Sequence, residues 1–141
     1  MFTIKETTVD SLIALRWQVL RPGRPESAAH FAEDAAEGSA HFAALDTNGV
    51  VIGCATVIKK NNALQLRGMA TAPEWQGKGV GSAVVAASQA YALRQGLPLW
   101  CNARVSAVSF YQKSGWHTEG EPFDVAGVGP HVVMRFSSGS C

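Results

Sequence analysis

The residues with the clearest chemical potential are Gln76-Gly77-Lys78-Gly79-Val80-Gly81-Ser82, where three glycines and a lysine lie between an apolar stretch and a helix-like stretch. Glycine has no Cβ to keep an anion from the backbone. A strand, a glycine turn and a helix in succession point free N–H groups and the positive end of a helix dipole at one spot. Phosphate binding is the chemistry this pattern supports. Its spacing excludes two common forms. A P-loop requires Ser or Thr after the lysine, where this chain has Gly79, and the dinucleotide fingerprint requires Gly-x-Gly-x-x-Gly inside a βαβ unit. Side chains able to move protons are scattered: Glu33, Asp34 and Glu37 in an alanine-rich stretch, His41, Tyr111 and His131. His30 and His117 have no partner at ligand spacing, so no metal is expected.

These residues must be positioned by a chain of 141 residues, enough for one domain and one core. Lys+Arg 12 against Asp+Glu 11 gives a net charge of +1, so bulk electrostatics call for neither nucleic acid nor an anionic membrane. No apolar run reaches the roughly 20 residues of a membrane span, and the first residues lack a signal-peptide plan. A cytoplasmic protein acting on a compact ligand is the expectation. Cys54, Cys101 and Cys141 are an odd number at wide spacing, read as two buried thiols and one in a flexible tail, 138–141.

Periodicity supplies the elements. A strand over 2–6 precedes a helix from about residue 9 to 20, with Leu12, Leu15 and Val19 on one stripe. Two prolines break the chain in 21–26, and 27–38 is either a short helix or a loop. Strands on either side of Asn48-Gly49 form a hairpin, because Asn-Gly tolerates the positive φ of a tight turn. Asn61-Asn62 makes a second turn into 63–71. A helix over 79–95 ends at Gly96. "LPLWCNA" is a strand, "VSAVSFYQKSG" a short helix, and "WHTEGEPFDVAG" and "PHVVMRF" two further strands. The order is β-α-(α)-β-β-β-α-β-α-β-β.

The segment "LRGMATAPEWQGKGVG" resembles the fourth strand and pyrophosphate loop of the GNAT superfamily of N-acetyltransferases. "ARVSAVSFYQKSGW" resembles its later Ala-x-x-Phe-Tyr-x-Lys-x-Gly-Trp segment, and "GVGPHVVM" resembles its small bacterial, ElaA-like branch. The two segments stand in the family's order and the β/α order matches. The resemblance implies one GNAT domain over 1–137: an α/β (α+β) fold with a mixed, mostly antiparallel sheet of six or seven strands, a splayed parallel pair and flanking helices. It implies acetyl-CoA as cosubstrate, with N–H groups of Gly77, Gly79, Gly81 and Ser82 on the pyrophosphate. Gln76, Lys78 and Val80 complete the loop, and the backbone of Met69, Ala70 and Thr71 pairs with pantetheine. Phe110 lines the groove, and Asn102 or Arg104 substitutes for a missing family Asn. Tyr111 matches the tyrosine that protonates the leaving thiolate. The acceptor is then a small-molecule or peptide amine, in direct transfer within a ternary complex, and the resemblance admits a homodimer.

The fourth strand, Leu64-Gln65-Leu66-Arg67-Gly68, has no carboxylate to take the amine's proton. Glu33, Asp34 and Glu37, His41 and His131 are the candidate bases; the acidic insert is favoured because its carboxylates would attract a cationic amine. A non-catalytic acyl-CoA-binding sensor or partner module is the competing reading.

Overall fold

Two asparagine-rich turns shape the first half of the sheet. Asn61 and Asn62 both take left-handed backbone, φ 54° and 61°, the conformation of a two-residue hairpin turn. At the earlier turn only Gly49 does so, at φ 79°, while the Asp46 carboxylate accepts the N–H groups of Asn48 and Val50 at 2.8 and 2.9 Å. The hairpin expected there forms, with an Asx turn organising it rather than a left-handed Asn-Gly pair.

The computed structural model describes residues 1–137; the tail 138–141 and Cys141 lie outside the described residues. Strands β1 (Thr3–Thr7), β2 (Ala40–Leu45), β3 (Val51–Lys60) and β4 (Ala63–Thr71) form an antiparallel meander. β5 (Leu99–Arg104), β6 (Trp116–Val125) and β7 (Gly129–Phe136) complete a seven-stranded sheet in the order β1-β2-β3-β4-β5-β7-β6. The helices are α1 (Ile13–Leu20), entered through a 3-10 turn at Val9–Leu12, α2 (Val80–Gln95) and α3 (Val108–Gln112). The insert after α1 is a pair of 3-10 turns, Glu26–Ala29 and Ala32–Ala35. Among the described residues no helix is long and apolar enough to cross a membrane.

α1 and α2 cover opposite faces. Side chains alternate along a strand, and on β3 Arg16 of α1 reaches Thr56 while Val80 of α2 packs at Gly53. α2 buries Val80, Val84, Val85, Ser88 and Ala92, and Gly96 at φ 67° ends it as the sequence indicates. β4 and β5 run parallel, joined only at Leu64 with Leu99 and Gln65 with Trp100. Beyond those two positions the strands part. β4 also carries a bulge: Thr56 faces Arg67 and Cys54 faces Ala70, so Gly68 and Met69 together oppose Ala55. Gly68 takes φ 62° there.

A Cβ on Gly53 would overlap the Val80 side chain, so the missing side chain sets how closely the start of α2 approaches β3. Gly53→Val is expected to destabilise the protein by about 1–3 kcal/mol through overpacking. Urea denaturation reads the loss, and adding Val80→Ala should recover part of it; no recovery would place the strain elsewhere.

Candidate functional site

The glycine loop begins where the Ala72 N–H donates to the Ile52 carbonyl at 2.8 Å and Pro73 ends β4. A 3-10 turn, Pro73–Trp75, leads to Gln76, whose side-chain amide reaches the Thr71 carbonyl at 3.4 Å. Gly77 and Gly79 take φ 77° and 86°, and a Cβ built on either meets nothing within 4 Å. Both glycines therefore border open space. Gly79 caps α2 with no side-chain acceptor, and the first intrahelical bond is Ala83 N–H to Gly79 carbonyl, 3.1 Å. The N–H groups of Val80, Gly81 and Ser82 precede that bond and have no intrahelical acceptor. Lys78 lies with Nζ 5.4 Å from the Trp75 ring centroid, at the rim. A Cβ on Gly81 would lie 3.4 Å from the Phe110 ring and 3.8 Å from Thr71 Oγ1. The loop, the end of β4 and α3 thus meet at one place.

Tyr111 of α3 sits where β4 and β5 part. Its hydroxyl lies 3.8 Å from Met69 Sδ of β4 and engages the Cys101 thiol of β5. The ring packs between Phe110 and Trp116, centroids 5.1 Å away in each case. Burial, with Cys101 beside it, pushes the phenol above its ordinary pKa, so its proton is retained at any ordinary pH. Burial also pushes the Cys101 thiol up to about 12, which keeps it unreactive. Asn102 and Arg104 point away from Tyr111: on β5, Cys101 and Ala103 are buried on its side, and Asn102 and Arg104 are exposed on the opposite face. The structure does not bring those two side chains to the loop.

The opposite face carries the charges. Arg16 is fully buried, and its guanidinium donates to Asp34 Oδ2 and Oδ1 at 2.8 and 2.9 Å, to the Ala29 carbonyl at 3.1 Å and to Thr56 Oγ1 at 2.5 Å. Asp34 also accepts the Phe31 N–H at 2.9 Å. Burial alone would raise the Asp34 pKa, but the bonds from Arg16 and Phe31 outweigh it and the net shift is downward. Both oxygens are committed, which fits an anchor of the insert and not a proton acceptor. His41 is similarly spoken for: Nε2 donates to the Asp34 carbonyl at 3.1 Å, which leaves Nδ1 to accept from Thr56 at 2.9 Å. Glu33 accepts from Arg67 of β4 at 2.9 Å, and Glu37 is exposed. The insert therefore presents few free carboxylates to an amine, because two of its three acids are paired with arginines.

His131 of β7 is buried, stacks on Phe123 with centroids 6.1 Å apart, and donates Nδ1–H to the Gly129 carbonyl at 2.9 Å. That bond leaves the Nε2 lone pair without a hydrogen-bond partner among the described residues. Arg16, Phe31 and Arg67 contribute to the site without having been singled out from sequence, and Cys101 is the buried thiol the sequence indicates. Only Arg16 had a readable signal: it lies one turn after Leu12, on the apolar stripe, where a charge requires a buried partner. Among the described residues no group of three His, Cys, Asp or Glu could hold a metal ion.

A model of the acetyltransferase (GNAT) domain matches residues 23–138. The chain is 32% identical over 142 residues to the uncharacterized N-acetyltransferase YitI of Bacillus subtilis (strain 168), covering 95% of each protein. It superposes on the crystal structure of Escherichia coli ElaA with a TM-score of 0.82 at 16% identity, over 97% of this chain and 100% of that one. It also superposes on a GNAT family acetyltransferase from Elizabethkingia anophelis with acetyl-CoA bound, TM-score 0.71 at 15% identity, over 96% and 97% of the two chains.

The Arg16–Asp34 pair yields a stability prediction. Removing one partner leaves a buried charge uncompensated, so Asp34→Asn or Arg16→Met should each cost about 3–5 kcal/mol, and Arg16→Met with Asp34→Leu less than the sum. Because the folded-state pKa of Asp34 lies below its ordinary 3.8, its contribution is complete above that value and fades as pH falls below it. Chemical denaturation at pH 7 and at successively lower pH should show a steep loss in the wild type and a shallower one in Asp34→Asn. Equal pH slopes would contradict the assignment.

Proposed function

The chain belongs to the GNAT acetyltransferase family, and on that premise we propose that it transfers the acetyl group of acetyl-CoA to a primary amine within a ternary complex, residues 1–137 acting as one catalytic domain. The observation that carries this reading is the parting of β4 and β5 after two residue pairs, with the glycine loop at one end and Tyr111 at the gap. The residues present fit the coenzyme. Open space beside Gly77 and Gly79, and first-turn N–H groups of α2 with no side-chain cap, suit a pyrophosphate.

When bound, acetyl-CoA supplies an activated thioester; the work of the protein is to place and protonate. N–H groups of Gly77, Gly79, Gly81 and Ser82 bind the pyrophosphate, and Lys78 adds charge at the rim. The unpaired edge of β4 at Met69, Ala70 and Thr71 receives the pantetheine arm as a further strand would be received, with Phe110 along the groove. Tyr111 holds, at its hydroxyl, the proton that a departing thiolate requires. Its raised pKa keeps that proton in place in the resting protein. For the amine's proton we favour His131, whose Nε2 retains a lone pair, acting through water. Glu33 is engaged by Arg67 and Asp34 by Arg16, so neither has the role assigned here.

Calorimetric titration with acetyl-CoA, coenzyme A and ATP tests the site. Acetyl-CoA should bind the wild type and fail to bind Gly79→Glu, whose side chain fills the cradle; a folded wild type that binds no coenzyme would refute the proposal. Tyr111→Phe should lower kcat about 100-fold while leaving the acetyl-CoA Kd within about twofold, as loss of a positioned acid does. Since Tyr111 titrates above its ordinary value of 10.0, the wild-type kcat should not fall with an apparent pKa near 10 on account of this residue. A loss of rate at that pH that is absent from Tyr111→Phe would count against the assignment.

A further inference from the structure

α2, α3 and the glycine loop occupy one face of the sheet at the parting, so an acceptor must approach from the face that α1 shares. That face is rich in guanidinium groups. The Phe31 ring has Arg16 at 4.1 Å, Arg67 at 4.9 Å and Arg21 at 5.7 Å from its centroid. Arg16 is consumed by Asp34. Arg67 is not consumed: Glu33 takes one Nη1 bond at 2.9 Å, the Phe31 ring supports the guanidinium, and a third of the side chain is exposed. Among the described residues Nε and Nη2 have no hydrogen-bond partner, so one edge of a held, planar fork is presented to solvent. Arg67 stands two residues before Met69, whose sulfur touches the Tyr111 hydroxyl. Across the gap, the register of Gln65 with Trp100 places Asn102 and Arg104 of β5 on the same face as Arg67. Arg104 is exposed and has no carboxylate within ion-pairing distance among the described residues.

Resting on the acetyl-transfer reading, we propose that this floor selects a small acceptor that carries a carboxylate as well as its amine, with Arg67 as the residue that determines specificity and Arg104 as a second contact. A planar guanidinium already fixed in orientation matches the two oxygens of a carboxylate with little further ordering. A polyamine would instead meet like charge from Arg67, Arg104 and Arg21. The same cations disfavour the ammonium form of an acceptor, which helps to present the neutral amine that transfer needs. Among the described residues the carboxylates hydrogen-bonded to these arginines are Glu33 and Asp34, and both are already paired.

The test uses the full-length protein with acetyl-CoA and matched acceptors: glycine, β-alanine, 4-aminobutyrate and L-amino acids against the corresponding amides, with spermidine as the polycation. Thiol release gives kcat and KM, and calorimetry with the coenzyme A-loaded protein gives acceptor binding independently of turnover. At least one carboxylate acceptor should exceed its amide by about tenfold or more in kcat/KM, and spermidine should be poor. Arg67→Gln should bring the acid-to-amide ratio toward one, mainly through KM, with acetyl-CoA affinity within about twofold; Arg67→Lys should restore only part of the ratio because an ammonium lacks the fork. Amides or spermidine used as well as the acids would overturn the proposal, as would an Arg67→Gln effect equal on acids and amides. If acetyl-CoA binds but no carboxylate acceptor is bound or used, the acceptor class is wrong while the coenzyme site stands. A wild type that binds no acetyl-CoA removes the parent reading instead.

Discussion

The hydrogen-bond ladder between β4 and β5 stops after Leu64–Leu99 and Gln65–Trp100, and most of the site follows from that interruption. Each strand is still paired on its other side, β4 with β3 and β5 with β7, so the gap opens inside the sheet and not at its rim. Backbone groups lining such a gap have lost their strand partner, and an unpaired polar group shut away from water costs about 1–3 kcal/mol. A strand-like ligand arm, as proposed for pantetheine, would relieve that cost. The neighbouring parts make the arm's position definite. Gly53 lets Val80 close onto β3, which brings the start of α2 to the end of β4, and Tyr111 packs at the same parting through Met69 and Cys101.

The second constraint lies on the α1 face, where Arg16 is buried without access to water and must be satisfied from within. It binds three elements at once: α1, which carries it, the insert through Asp34 and Ala29, and β3 through Thr56. A buried ion pair of this kind adds little net stability over an apolar substitute, yet it permits few alternative arrangements. Its effect here is geometric. Once Asp34 is fixed, Phe31 and Glu33 are fixed beside it, and these two hold Arg67. Arg16 Nε is the one buried side-chain polar atom without a partner among the described residues, and it faces the Gly68 bulge. A side chain at position 68 would strike both Phe31 and Arg16, so the bulge glycine serves the packing of the charge network as well as the bend of β4.

What could be read from the sequence was local. Glycines at 77, 79 and 81, the stripe of α2 and its Gly96 cap each announce themselves within a few residues, and the strand order followed from the resemblance those segments carry. The electrostatics of the insert were not local. Asp34 finds its partner 18 residues away and Glu33 finds Arg67 34 residues away, so a reading of composition sees three free acids where the fold has neutralised two. The faces of β5 were within reach but were misapplied. Alternation in "LWCNAR" separates Asn102 and Arg104 from Cys101 and Ala103, and Tyr111 lies on the side of the second pair. The parting itself has no composition signal, because Leu66 and Cys101 differ in no obvious way from residues that continue a ladder.

The absence of a carboxylate on β4 then has a physical answer that does not require a strong base. A glutamate beside a bound ammonium would stabilise the charged amine while waiting to deprotonate it, and the two effects oppose one another. Arg67 has the opposite sign. A guanidinium beside an ammonium disfavours the charged form, an effect that the Glu33 carboxylate at 2.9 Å and solvent around this partly exposed pair reduce. The carboxylate of the proposed acceptor would offset part of that effect at Arg67, while Arg104 and Arg21 have no ion-paired carboxylate among the described residues. Under the proposed acetyl transfer, a weak acceptor such as the Nε2 of His131, or water in contact with it, would serve for an amine whose charged form the arginines disfavour. On the proposed reading one set of arginines would select the acceptor and favour its neutral form, and Tyr111 would supply the proton at the gap.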